Sequence, residues 1–320
     1  MEQMNLLLAQ REALLASDEA TLAMLHQLDR QLLTQVEHGG SEAPVGDFSE
    51  PALDRLLAMP LDEAVLWFEI TATLTDADPA QAVETMVIRQ PDAPLVWWLA
   101  AHNPAVPVGE HFPEASSLQV WAALAHWRRG RAAELPEPWR HWADVLSATR
   151  EPSAELLDAL WEQGDSSDDW KAWFYPLLTR VSDEWQLWMV NWLSARADTL
   201  TTVEAMGISC ARRFLGWLEA ILAGTQENQA LAEAASRELR WLKGDQLETA
   251  MASEEVDDQR DEKPAWWGRQ AWGGGLHDQD WQRLLQSLPL AYRNRCWYWR
   301  SWCLDGGPGS LFGGRWCAGS

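Results

Sequence analysis

WKAWFYPLLTRVSDEWQLWMVNWLS, residues 170–194, decides how this chain is read. Trp170, Trp173 and Leu177 recur at intervals of three and four. Trp185, Trp188, Met189 and Trp192 then do the same, with Ser182-Asp183 between the two sets. That spacing places each apolar set on one face of a helix, and a serine ahead of an acidic residue is N-cap chemistry. Two amphipathic helices joined by a short turn are predicted. No strand-length run elsewhere alternates with period two strongly enough to claim a sheet.

The same grammar extends in both directions. Downstream come Phe214, Leu215, Leu218 and Leu222, then Leu231, Ala235, Leu239 and Leu242; upstream come Leu156, Leu157, Leu160 and Trp161, preceded by Trp139, Trp142 and Leu146, and by Leu118, Trp121, Leu124 and Trp127. Gly130, Pro136 to Pro138, Gly164-Asp165-Ser166-Ser167, Gly224 and Gly244 punctuate them, and Ser153 and Thr201 are further N-cap candidates. Cys210, after Ile208-Ser209, reads as a packed residue inside an apolar helix. Pro91, Pro94, Pro104, Pro107 and Pro113 leave room for a short helix around Leu95 to Ala101 and an irregular segment from His102 to Pro113. Between Pro51 and Gln90 three more helical patterns follow one another, the last introduced by Asp78 with Pro79 at its first position. The first 37 residues read as one long or two short amphipathic helices.

Helices of roughly 10 to 16 residues joined by short turns, in pairs about 30 to 40 residues apart, are the signature of stacked antiparallel hairpins. The predicted fold class is therefore all-α, an irregular HEAT-like α-solenoid. No motif recurs at a fixed period, so a compact helical bundle stands as the alternative architecture. The expected organisation is N-terminal helices over 1–38, a glycine- and proline-bearing linker over 39–50, a helical body over 51–247, an acidic linker over 248–264, a C-terminal helical segment over 265–295 and a tail over 296–320. In that segment, Asp280 to Leu288 carries Trp281, Leu284 and Leu285 on one face. The tail is rich in Gly, Trp, Arg and Cys, residues with G-rich codons, and has lost the Leu/Ala/Glu composition of the rest. We read it as lying outside the selected fold, as translation of a shifted frame in a GC-rich gene would produce.

A chain of 320 residues with 47% hydrophobic and 23% charged side chains can bury a sizeable core. Its 48 acidic against 25 basic residues give a net charge of −23, which repels nucleic-acid phosphates and anionic lipid. No apolar stretch approaches the roughly 20 residues of a spanning helix. Four cysteines, at 210, 296, 303 and 317, form no disulfide framework and fit a reducing compartment. A soluble, unexported, cytoplasmic protein is expected.

Chemistry-bearing motifs are missing. Cys296, Cys303 and Cys317 cluster with His277, but gaps of six and thirteen residues are unlike the close pairs of structural zinc sites. The seven histidines form no HExxH and no i, i+4 pair; His126 and His141 read as helix-surface or partly buried. There is no G-x-S-x-G elbow, no phosphate-binding G-x-x-x-x-G-K-S/T and no G-x-G-x-x-G. Asp165, Asp168 and Asp169 crowd one turn without the glycine and terminal glutamate of a calcium loop. Arg128, Arg129 and Arg131 read as the favourable basic end of a helix. No catalytic residue, metal or cofactor is expected.

The indoles are the distinctive feature: 23 Trp against 3 Tyr and 6 Phe. Most serve packing between helices, but aromatics also anchor protein interfaces. Trp185, Trp188 and Trp192 form one stripe. Trp97-Trp98 and Trp266-Trp267 differ, because adjacent helical residues do not share a face and one of each pair points outward or to a second layer. These seven are the candidate partner-binding residues.

The order of features from Gly207 to Trp267 resembles a family. The helix pair ARRFLGWLEAIL and ALAEAASRELRWLKG, followed by DQLE, the acidic EEVDDQRDEK and a Trp-Trp pair, is similar to bacterial HEAT-repeat proteins of unassigned activity often encoded in type VI secretion clusters. The resemblance implies a helical-repeat interaction protein and supplies no catalytic residues. Such proteins continue into further helices where this chain enters its glycine- and cysteine-rich tail. The expected function is a protein-binding or scaffold module associated with a secretion apparatus. The alternatives are an immunity or adaptor protein holding a secreted toxin, and an enzyme with a nonlocal site on a helical scaffold.

Overall fold

The computed structural model describes residues 2–17, 20–39, 47–74, 78–103, 106–109, 111–163, 170–224 and 228–243, together with 290, 292, 311–312 and 315–316. The protein is all-α. In chain order the helices are α1 (Glu2–Ala16), α2 (Leu22–Gly39), α3 (Glu50–Ala58), α4 (Leu61–Leu74), α5 (Pro79–Arg89), α6 (Pro94–His102), α7 (Ser116–Arg128), α8 (Trp139–Leu146), α9 (Ala154–Gln163), α10 (Trp170–Arg180), α11 (Asp183–Ser194), α12 (Thr199–Ile208), α13 (Leu215–Gly224) and α14 (Gln229–Lys243), with single 3₁₀ turns at Ala132–Glu134 and Arg212–Phe214. A two-residue antiparallel pair joins β1 (Leu311–Phe312) to β2 (Arg315–Trp316). Elements of two residues are too short to leave a period-two pattern, which is why no strand was expected there.

Local chemistry explains most boundaries. Asp78 accepts from the Ala80 amide at 2.9 Å with Pro79 in the first turn, so α5 begins as expected. Ser182 occupies the N-cap of α11 in extended geometry, but its side chain makes no capping bond. Thr201 does not cap α12; Asp198 does, accepting from the Thr201 amide at 2.7 Å, so the cap lies three residues earlier than expected. Gly130 ends α7 at φ 71°, with its amide on the Trp127 carbonyl and the Arg131 amide on that of His126, the glycine-terminated helix stop that only a residue without Cβ enters freely. Cys210 is not inside a helix. α12 ends at Ile208, and Cys210 sits at φ 50° in the turn before the 3₁₀ segment.

The chain forms two compact units. The first comprises Met1–Ala143, Glu155–Trp170 and Pro308–Ser320. Its core gathers Leu28, Leu32 and Val36 of α2, Leu53 and Leu56 of α3, Trp67, Phe68 and Ile70 of α4, Met86 of α5, and Leu95 to Trp97 and Leu99 of α6. The 39–50 stretch therefore connects helices that share one core. The first 37 residues are two helices, α1 and α2, packed on each other. They enclose an ion cluster the periodicity gave no sign of. Arg11 Nε donates to Asp29 Oδ1 at 2.8 Å and Arg11 Nη2 to Glu69 Oε2 at 3.5 Å, with Arg11 6% and Asp29 1% exposed. Burial, opposed by Arg11, raises both carboxyl groups above their ordinary values.

The second unit comprises Asp144–Ala154 and Lys171–Gly307. α11 packs on α12, and both α12 and α13 pack on α14. Buried Gln186 ties the first of these together, donating from Nε2 to the carbonyls of Leu178 at 2.9 Å and Ser209 at 3.0 Å. Where α12 crosses α14, Gly207 meets the side chain of Glu238, a carboxylate with no exposed surface. The acidic linker, the segment bearing Trp281 and most of the tail lie outside the described residues.

Candidate interaction surface

Two indole sites emerge, one in each unit. In the first unit, Pro94 opens α6 and the segment after His102 returns the chain to α7, so the two helices form a hairpin. Trp97 and Trp98 diverge as adjacent helical residues must. Trp97 is 1% exposed, stacked on His126 at 5.9 Å and edge-on to His111 at 6.1 Å. Trp98 is half-buried and lies against His102 at 4.2 Å, whose ring also meets Trp121 at 5.5 Å.

Around these rings the chain concentrates positive charge. Arg129 extends two nitrogens to four carbonyl groups: Nη1 to Ala100 at 3.1 Å and Ala125 at 2.6 Å, Nη2 to Asn103 at 3.1 Å and to Val106. Arg128 donates to the His102 carbonyl at 3.1 Å, and Arg131 to the Gly109 carbonyl at 3.3 Å while pairing with Glu134. The arginines thus do more than end α7 favourably; they satisfy the orphan carbonyls where α6 ends and fix the connecting segment. Burial pushes Arg128 and Arg129 down to about 10 and His102 to about 3, and lowers His126, which Arg131 and Arg129 depress further. His126 is 1% exposed, not a surface residue. This is a polar-aromatic knot whose groups are committed to one another.

In the second unit the stripe on α11 sits beside its core face. Met189, Val190 and Leu193 are enclosed, and Trp192, at 8% exposure, stacks on Phe174 at 5.9 Å and carries the Arg196 guanidinium 4.3 Å from its ring centroid. Trp185 and Trp188 meet edge to face at 5.2 Å and are half-buried, so each keeps part of its indole at the surface.

The structure therefore separates the seven candidate residues. Trp97 and Trp192 are core residues, enclosed by α7 and α10 neighbours respectively, and offer no surface to a partner. Trp98, Trp185 and Trp188 retain exposed area. Trp266 and Trp267 lie outside the described residues. Sequence reasoning missed Trp217, which is 50% exposed on α13, where Leu218 is the buried residue. The run LGWLEAIL is apolar almost all round, so periodicity alone assigned no outer face.

Among the described residues no group of three or more His, Cys, Asp or Glu side chains is placed to hold a metal ion, and no helix is long and apolar enough to cross a membrane. No family model, curated protein or solved structure matches the chain.

Proposed function

We propose that this chain is a protein-binding module, a HEAT-like helical scaffold that holds a basic protein partner through partly exposed indoles, working with a bacterial secretion apparatus. The observation that carries the reading is the Trp185–Trp188 pair. Two large indoles remain half at the surface on a helix whose adjoining face is used for packing, and such amphipathic rings are the side chains that anchor interfaces. The net charge of −23 selects the sign of the partner. The secretion setting rests on the likeness of residues 207–267 to helical-repeat proteins of such clusters.

The charge also favours a second reading, an immunity or adaptor protein for a secreted toxin, because strong opposite charge speeds encounter with one cognate partner. Both readings meet in one experiment. The tagged full-length protein and its Trp185→Ala/Trp188→Ala variant are used to capture partners at low and moderate salt, followed by mass spectrometry and direct titration with the partner identified. A single stoichiometric basic protein, bound at least tenfold more weakly by the variant, supports the reading. Its identity as an apparatus component or a toxin chooses between the two. Equal binding by both forms overturns the assignment to α11.

A further inference from the structure

The half-exposed indole pair on α11 offers more than apolar area. Trp185 and Trp188 meet at 85° with centroids 5.2 Å apart, so the edge of one ring faces the plane of the other and the two form a corner. An indole face is electrostatically negative, and a corner of two rings presents that character from two directions. Glu184, exposed in the first turn of the same helix, stands four residues before Trp188. At 3.6 residues per turn, Glu184, Trp188 and Trp185 fall within about 100° of arc, so one side of α11 carries both rings and a carboxylate.

The same helix supplies a precedent for what such rings hold. Trp192, one turn after Trp188, carries the Arg196 guanidinium 4.3 Å from its ring centroid, within the range of a cation–π contact. Arg196 reaches it from just beyond the end of α11 and also donates to the Trp192 carbonyl at 3.2 Å. The third indole of the stripe is thus already engaged by an arginine of this chain. Arg213 approaches the helix as well, but at its start, where it donates to the Asp183 backbone carbonyl at 2.8 Å.

We propose that the Trp185–Trp188 corner, with Glu184, is an arginine-recognition site that takes a guanidinium side chain of the partner as Trp192 takes Arg196. The proposal rests on the reading of α11 as a partner-binding surface and names the side chain that surface selects. Arginine suits it better than lysine. A planar guanidinium stacks on an indole, is weakly hydrated, and can pair with a carboxylate through two nitrogens, whereas an ammonium is a compact and strongly hydrated charge. The net charge of −23 attracts any cation, so position must come from the rings and Glu184. Trp217 on α13 provides an internal comparison. It is 50% exposed, but its edge-to-face neighbour Phe214 is buried and an arginine, Arg213, stands four residues before it in place of a glutamate.

The test titrates the full chain, carrying ¹⁵N-labelled indoles, with a blocked Gly-Arg-Gly peptide and with its lysine and citrulline counterparts, citrulline being the uncharged isostere of arginine. Indole N–H signals are assigned from Trp185→Phe, Trp188→Phe and Trp217→Phe. The arginine peptide is expected to move the Trp185 and Trp188 signals saturably and to leave Trp217 in place. The citrulline peptide is expected to bind about fivefold more weakly and the lysine peptide about twofold more weakly. Glu184→Gln, a change at an exposed position, is expected to weaken arginine uptake by about threefold. Equal uptake of arginine and citrulline, equal shifts at Trp217, or unchanged uptake by Glu184→Gln would each overturn the proposal, and lysine bound as tightly as arginine would overturn its selectivity. Partner capture with Trp185→Ala/Trp188→Ala separates this outcome from that of the underlying reading. A partner lost by that variant while no arginine peptide reaches the corner overturns the arginine site and spares α11 as the surface. A partner held equally by the variant while the arginine peptide does bind the corner overturns the partner surface and spares the arginine selectivity.

Discussion

Replacing Gly207 by alanine sets two effects of known sign against each other. Gly207 lies within α12, where alanine is favoured by about 1 kcal/mol on helix propensity. A Cβ there, however, falls 1.8 Å from Glu238 Oε2, 2.7 Å from Cδ and 3.1 Å from Cγ. Reaching ordinary contact requires the carboxylate to retreat by roughly 1.5–2 Å. It has little room to do so, being fully buried with Oε1 paired to Arg237 Nε at 3.3 Å. Overpacking costs about 1–3 kcal/mol and disturbing the bonds of a buried carboxylate a comparable amount. The clash therefore wins, and Gly207→Ala is expected to destabilise the protein by about 2–4 kcal/mol in urea denaturation followed by far-UV circular dichroism. The decisive arm is the same substitution in a Glu238→Ala background. With the carboxylate gone, alanine at 207 is expected to be neutral or to stabilise by up to about 1 kcal/mol. An equal loss in both backgrounds, or a gain in the wild-type background, would refute the close approach of α12 to Glu238.

Other outcomes follow from the buried polar groups. Arg11→Met leaves Asp29 enclosed and unpaired, at an expected cost of about 3–5 kcal/mol, while Arg11→Met/Asp29→Leu recovers most of it; a double variant as weak as the single would count against the pair. Because the folded-state values of Asp29 and Glu69 are raised, their share of stability is greatest below the unfolded carboxylate values and is lost as pH rises through the folded ones. The histidines act oppositely. With His126 lowered and His102 at about 3, the unfolded chain gains protons first, so stability present above about pH 6.5 declines as pH falls toward the folded values. His126→Phe keeps a ring on Trp97 that does not titrate, and the slope of melting temperature against pH below about 6.5 should shrink; an unchanged slope excludes His126 as a source. Arg129→Lys retains charge but not the fork, so the amides of Asn103 and Val106 are expected to exchange hydrogen as fast as in Arg129→Ala; wild-type protection in the lysine variant would exclude the four-carbonyl role.

Much of the fold was legible because indole and leucine spacing report helix faces directly. The helices α10 and α11 with their short turn, the short α6 followed by an irregular segment, and the proline-led start of α5 were all read from local pattern. What escaped was tertiary. Arg11, Asp29 and Gln186 are polar letters that any periodic reading assigns to solvent, yet each is buried because a partner from another helix satisfies it, and Glu238 is buried where α12 meets α14. Sequence spacing carries no information about such pairing, since the partner lies 18 residues away for Arg11 and Asp29 and 23 for Gln186 and the Ser209 carbonyl.

The candidate surface divides along the same line. Adjacent Trp97 and Trp98 had to diverge, and the helix alone required it. Which of them reaches the surface depended on His126, a residue 29 positions from Trp97 whose ring covers its face. The same holds on α11, where spacing put Trp185, Trp188 and Trp192 on one stripe but Trp192 is the one that Phe174 and Arg196 both cover. An indole stripe in an all-α chain is thus graded along its length, packed at one end and open at the other. On the proposed reading that gradient serves anchoring: a packed indole holds the helix rigid, so an open pair beside it would bind a partner without first having to be ordered, and less of the contact energy would go to fixing side chains.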